Sequence, residues 1–102
     1  MGISIRKEEL QAFCQRRRIR RLALFGSVLR EDFRPDSDID VLVDFEEGAE
    51  AGLFELVDIQ DELSTILGRQ VDLVERKAVE RSENYIRRRH ILSTAEIVYV
   101  AG

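Results

Sequence analysis

Apolar positions recur with a helical period in some segments of the chain and in a strand-like pattern in others. We predict helices over residues 4–18, 27–33, 53–67 and 83–93, and strands over residues 20–25, 39–45, 70–75 and 96–100. Segment 39–45 is nearly continuously apolar, which is typical of a strand covered on both faces. Gly68 is the predicted end of the third helix and Ser82 the predicted N-cap of the fourth. This order predicts an α/β chain.

The order strand, helix, strand over residues 39–75 predicts a crossover between two parallel strands. Asp38 and Asp40 lie at the beginning of the first strand, and Asp72 lies near the beginning of the second. Alternation along a strand puts Asp38 and Asp40 on one face. If the two strands are neighbours in the sheet, all three carboxylates meet at the same sheet end.

A glycine–serine pair stands ten residues before the aspartate pair. Gly26 lets the backbone approach a ligand closely, and Ser27 can open a helix whose free N–H groups suit a phosphate. Carboxylates on one strand face suit Mg²⁺, which binds through a few carboxylates and substrate phosphates. Taken alone, Asp38 and Asp40 are also compatible with ordinary solvated turn chemistry.

Gly26-Ser27, ten intervening residues and Asp38-Ile39-Asp40 together resemble the signature of the nucleotidyltransferase superfamily that includes DNA polymerase beta. The small size resembles the minimal nucleotidyltransferase domains within it. The resemblance continues through Val71-Asp72-Leu73-Val74 and into the tail at 85–88 and 97–99. It implies an α/β (α+β) nucleotidyltransferase fold: a small mixed sheet of about four strands with flanking helices, in a single domain over residues 1–102.

The resemblance also implies the role of each residue in the site. Asp38 and Asp40 would bridge Mg²⁺, with two ions expected, and Asp72 would complete the site beside the acceptor hydroxyl. Gly26 and Ser27 would hold the outgoing phosphates of ATP, and Arg30 would add a charge-assisted contact to them. The expected site residues are Asp38, Asp40 and Asp72 as catalytic and metal-binding groups, and Gly26, Ser27 and Arg30 as nucleotide-binding groups.

Stand-alone minimal nucleotidyltransferases of this kind resemble antitoxins encoded beside HEPN-domain ribonuclease toxins. The resemblance implies transfer of AMP from ATP to a tyrosine of the toxin, with the arginines at 87–89 as candidate partner contacts. Two alternatives stay open: an antitoxin that acts by binding alone, and a nucleotidyltransferase that acts on a small molecule.

Composition narrows these expectations. The 16 basic and 20 acidic residues give a net charge of −4, which argues against direct nucleic-acid binding. The single cysteine, Cys14, excludes an intrachain disulfide and is expected to be buried. We expect a cytoplasmic protein without a membrane segment. The arginines between 16 and 21 are interpreted as a solvated face or a partner surface, and Asp44 as solvent-facing.

Overall fold

The computed structural model describes residues 6–26, 38–49 and 51–101, and these residues form a four-stranded sheet with helices on both faces. The elements in chain order are α1 (Lys7–Arg16), β1 (Ile19–Phe25), β2 (Ile39–Phe45), α2 (Leu53–Leu67), β3 (Val71–Glu75), α3 (Arg76–Glu80), α4 (Tyr85–Thr94) and β4 (Glu96–Val100). The strand order is β3-β2-β1-β4. Strands β2 and β3 are parallel, whereas β1 runs antiparallel to β2 and β4, so the sheet is mixed as expected.

Helices α1 and α2 cover one face of the sheet. Phe13 of α1 and Ile59 and Leu63 of α2 are fully buried there against the apolar side chains of the central strands. Their spacing gives each helix one apolar stripe, and burial of that stripe is the main force that holds it to the sheet. The strand residues in this core are Ile19, Leu22, Leu24, Ile39, Val41, Val43, Phe45 and Val71.

Helices α3 and α4 cover the opposite face with a smaller core. Val79 of α3 and Ile91 of α4 pack there with Leu42 of β2 and with Ala23 and Phe25 of β1. Strand β2 therefore has buried apolar side chains on both faces, which confirms the prediction from its continuous apolar sequence.

The bounds of β2, α2 and β4 agree with the sequence-based prediction to the residue. Helix α1 ends at Arg16, earlier than predicted, because the chain turns at Arg17 and Arg18, where Arg18 has a φ of +56°. Gly68 ends α2 in the left-handed conformation, as predicted. None of the described helices is long and apolar enough to cross a membrane. The helix predicted over 27–33 lies outside the described residues.

Two features of the chain after β3 were predicted wrongly or missed. Helix α3 was missed because five residues are too few to show a helical period. Ser82 is not the N-cap of α4. That position belongs to Asn84, whose side-chain oxygen accepts a hydrogen bond of 3.1 Å from the backbone N–H of Arg87. Ser82 Oγ instead accepts from the backbone N–H of Asn84, so it supports the turn that precedes the helix.

The arginines near the end of α1 are mostly engaged within the chain. The Arg17 guanidinium donates to Glu62 of α2 at 3.0 Å and ties α1 to α2. Arg21 donates to Asp44 at 2.9 Å because the antiparallel register of β1 and β2 makes them partners. The Asp44 side chain is only 13% exposed, so the expectation that it faces solvent was wrong.

Cys14 is fully buried in the core beneath α1, as predicted. Burial removes water from the thiol and raises the pKa of Cys14 to about 12. The thiolate is the reactive form, so this cysteine is a packing residue and not a nucleophile.

Candidate active site

Three neighbouring strands bring Gly26, Asp40 and Asp72 to one end of the sheet. Strand β1 ends where the antiparallel strand β2 begins, and Phe25 is the register partner of Asp40. Strand β3 is the parallel neighbour of β2 on its other side, and Asp40 is the register partner of Asp72. Gly26, Asp40 and Asp72 therefore follow one another across three strands. The predicted crossover is confirmed, and β2 and β3 are neighbours in the sheet, which was the condition for the carboxylates to lie at the same sheet end.

The strand registers also assign the face on which the carboxylates lie. Leu42 belongs to the core beneath α3 and α4, and Val74 packs against the same core. Asp40 lies two residues before Leu42, and Asp72 two residues before Val74, so alternation places both carboxylates on this face. Asp38 comes directly before β2 and is exposed. The face that carries α3 and α4 is therefore the one that presents the acids.

The Asp40 carboxyl is half-buried, and its charged form is destabilised by its surroundings. Desolvation raises the pKa of Asp40, and the negative charges of Asp72 and then Asp38 raise it further, whereas the Arg87 guanidinium lowers it. Asp72 and Asp38 therefore both lie within electrostatic reach of Asp40. A cation placed among them would relieve both the burial cost and the mutual repulsion.

The donor set of this site matches the chemistry of Mg²⁺. The candidates Asp38, Asp40 and Asp72 are all carboxylates, the hard oxygen donors that Mg²⁺ prefers. Within the three described segments, no three acidic, histidine or cysteine side chains converge closely enough to hold a metal alone. Mg²⁺ usually takes only one or two protein carboxylates and completes its shell with water and substrate phosphates. The carboxylates therefore fit an ion shared with a nucleotide better than an ion enclosed by protein.

Gly26 has two separate reasons to be a glycine. Its φ of +77° lies in the left-handed region, which L side chains rarely adopt. A Cβ there would also collide with Oδ2 of Asp40 and lie 3.2 Å from its Cγ. The sequence analysis attributed this glycine to a close approach between the backbone and a ligand. The nearest obstacle in the structure is instead the Asp40 carboxylate, so Gly26 gives Asp40 its space.

The structure leaves two predicted nucleotide-binding residues untested and gives Arg87 an interaction that was not predicted. Ser27 and Arg30, the other predicted nucleotide-binding residues, lie outside the described residues. Arg87 was predicted only as a partner contact, yet its charge acts on Asp40. The signal for this placement was the four-residue spacing between Arg87 and Ile91, which puts both on one face of α4.

Comparison with known proteins decides the family. Residues 6–95 match the nucleotidyltransferase domain family. The chain belongs to this family, as a minimal nucleotidyltransferase domain. It is 35% identical over 78 residues to a protein adenylyltransferase, MntA, of Thermococcus cleftensis, a match that covers 76% of this chain and 74% of the relative.

Solved structures agree with this assignment. A protein assigned as a minimal nucleotidyltransferase is 34% identical to this chain with a TM-score of 0.66, and the match covers 87% of this chain and 85% of that one. A toxin–antitoxin complex with AMP-PNP contains a chain of the same fold. It has a TM-score of 0.70 and 15% identity, with 95% of this chain and 75% of that chain covered. The nucleotidyltransferase fold predicted from the sequence is confirmed.

Substitution of Asp72 tests whether this residue acts mainly in transfer or mainly in nucleotide binding. We expect Asp72→Asn to reduce transfer by about 100-fold or more, because it removes a full negative charge beside Asp40. Affinity for Mg-ATP should fall much less, since Asp38 and Asp40 remain. Single-turnover transfer and calorimetric titration with Mg-ATP would measure the two effects separately. Equal losses in both measurements would contradict a role specific to the acceptor side.

Proposed function

We propose that this nucleotidyltransferase transfers AMP from ATP to a tyrosine hydroxyl of a HEPN-type ribonuclease toxin and thereby acts as its antitoxin. The observation that supports the proposal most strongly is the register that sets Asp40 beside Asp72, with Gly26 at the end of the adjoining strand. The name of the Thermococcus relative supports adenylyl transfer to a protein. The structurally similar toxin–antitoxin complex with AMP-PNP supports an adenine nucleotide as substrate and a toxin as partner.

The reaction needs the acceptor oxygen to attack the α-phosphorus of ATP. A bond forms between that oxygen and phosphorus, the bond from phosphorus to the α,β-bridging oxygen breaks, and pyrophosphate leaves with the electron pair. The hydroxyl proton must pass to a base or to water. Bound Mg²⁺ would neutralise the charge that develops on the entering and leaving oxygens.

The position of each residue suggests which requirement of the transfer reaction it would meet. Asp38 and Asp40 would hold the metal that accompanies the nucleotide. Asp72 lies on β3, an edge strand of the described sheet, and is exposed, so an acceptor can reach it from outside. Asp72 would orient the acceptor hydroxyl and accept its proton. Gly26, which leaves the Asp40 carboxylate its space, would keep that ligand in position. Ser27 and Arg30 remain the predicted contacts to the outgoing phosphates.

A second candidate function, neutralisation of the toxin by binding alone, has one supporting observation. The start of α2 carries two apolar side chains that face water, Leu53 at 75% and Phe54 at 86% exposure. Exposed apolar clusters of this kind are common at protein–protein contacts. Such a contact is equally compatible with a docked acceptor, so we favour the enzymatic function.

Two radiolabelled forms of ATP test the proposed reaction. The protein, Mg²⁺ and the purified toxin are incubated with ATP labelled at either the α- or the γ-phosphate. We expect the toxin to gain label from the α-labelled form only, because AMP is transferred and pyrophosphate leaves. A toxin with its acceptor tyrosine replaced by phenylalanine should gain none. Label from the γ-phosphate would indicate a kinase reaction and would contradict the proposal.

A further inference from the structure

Arg87 lies on α4, one of the two helices that cover the face of the sheet carrying Asp40 and Asp72. Ile91, one helical turn after Arg87, packs in the same core as Leu42 of β2. Asp40 lies two residues before Leu42 on the same strand face. Arg87 also borders a pocket of about 130 Å³ whose other walls include Val74 of β3 and Val79 of α3. Asp72 lies two residues before Val74 on the same strand face, so the wall shared by Arg87 and Val74 brings the Arg87 guanidinium near the candidate active site.

Arg87 is exposed. Within the described segments its guanidinium makes no hydrogen bond or ion pair, and its interaction is the electrostatic one with Asp40. Arg88, the next residue, is held in place: it donates to the carbonyls of Glu80 and Ser82, the latter at 3.2 Å, and lies over the Tyr85 ring. Among the described residues nothing occupies the Arg87 guanidinium, which is therefore available to a ligand, whereas Arg88 joins α3 to α4.

We propose that Arg87 binds the phosphate oxygens of the nucleotide beside Asp38, Asp40 and Asp72. A triphosphate that approaches three carboxylates meets like charge, and a neighbouring guanidinium offsets this repulsion. Arginine suits the task because its planar donors match phosphate oxygens in pairs and its charge is permanent. The inference rests on the nucleotide-binding part of the proposed function and does not depend on which molecule accepts AMP.

Calorimetric titrations with three ligands test the inference: Mg-ATP, magnesium with inorganic triphosphate, and adenosine. We expect Arg87→Ala to weaken Mg-ATP and triphosphate by about 10- to 100-fold, the loss expected for a charge-assisted phosphate contact. Adenosine, which carries no phosphate, should bind the variant and the wild type equally. Arg87→Lys should recover part of the affinity, since it restores the charge without the paired donors.

Arg89→Ala is the matched control. Arg89 is exposed on the same helix, and two positions along α4 turn it to the other side from Arg87. The control removes the same charge from the chain. Because it does so on the other side of α4, it should leave all three affinities unchanged. Equal effects of Arg87→Ala and Arg89→Ala would overturn the inference and point to net charge alone. An unchanged triphosphate affinity in Arg87→Ala with an unchanged melting temperature would also overturn it.

The titrations need no acceptor, so this inference and the proposed function can fail separately. If Arg87→Ala loses triphosphate affinity but the toxin gains no label from ATP, the phosphate contact stands and the proposed acceptor is wrong. If the wild-type protein binds neither Mg-ATP nor triphosphate, the phosphate contact itself is wrong.

Discussion

We expect the Asp38→Asn/Asp40→Asn double variant to lose Mg-dependent ATP binding and to transfer AMP at least about 100-fold more slowly than the wild type. Asparagine keeps the size of both side chains but removes the charges that hold a metal. The fold should survive, because Asp38 is exposed and Asp40 makes no ion pair within the described segments. The melting temperature should be unchanged or higher, since neighbouring like charges are removed.

The matched control for this variant is Asp58→Asn/Asp61→Asn. Both aspartates are exposed on α2, so the control makes the same change in net charge away from the candidate site. Calorimetry with Mg-ATP and a thermal melt on each variant complete the test. Equal metal–nucleotide affinity in the wild type and the Asp38→Asn/Asp40→Asn variant would remove these aspartates from the site.

The second large effect is expected from Gly26→Ala. The left-handed φ of +77° should cost about 1–2 kcal/mol of stability once a Cβ is present. The Cβ also forces the Asp40 carboxylate to move. Because Asp40 is a candidate metal ligand, we expect transfer and Mg-ATP affinity to fall far more than this stability loss explains.

Gly68→Ala separates the two causes. Gly68 has a similar φ of +69°, but nothing lies within 4 Å of the Cβ that alanine would add. We expect Gly68→Ala to lower the melting temperature by a similar amount and to leave transfer and Mg-ATP affinity intact. If both variants lose stability and neither loses affinity, Gly26 matters for the backbone turn only, and its proximity to Asp40 has no functional weight.

The sequence predicted the elements whose signals are local. Strand β2 and helix α2 were found to the residue, because a continuous apolar run and a helical stripe ending at Gly68 are both strong patterns. Helix α3 was missed, since five residues carry too little pattern. The cap of α4 was misassigned because Ser82 and Asn84 are both good capping residues, and only the backbone geometry decides between them.

In the candidate site, too, only the features that depend on local spacing could be predicted from the sequence. Spacing along one strand put Asp38 and Asp40 together, but the neighbourhood of Asp40 and Asp72 depended on strand order, which a single sequence does not determine. The collision between a Gly26 side chain and Asp40 needed the antiparallel register of β1 and β2. The pairing of Arg21 with Asp44 needed it too, and the sequence analysis therefore placed Asp44 in solvent.

The most direct test of the account is the intact mass of the toxin after co-expression with this protein. With the wild-type protein we expect the toxin to gain one or more AMP units and its ribonuclease activity to be lost. With the Asp38→Asn/Asp40→Asn variant the mass should be that of unmodified toxin and the ribonuclease activity should persist. If both forms silence the toxin equally and neither changes its mass, the protein acts by binding alone, and the enzymatic account is wrong.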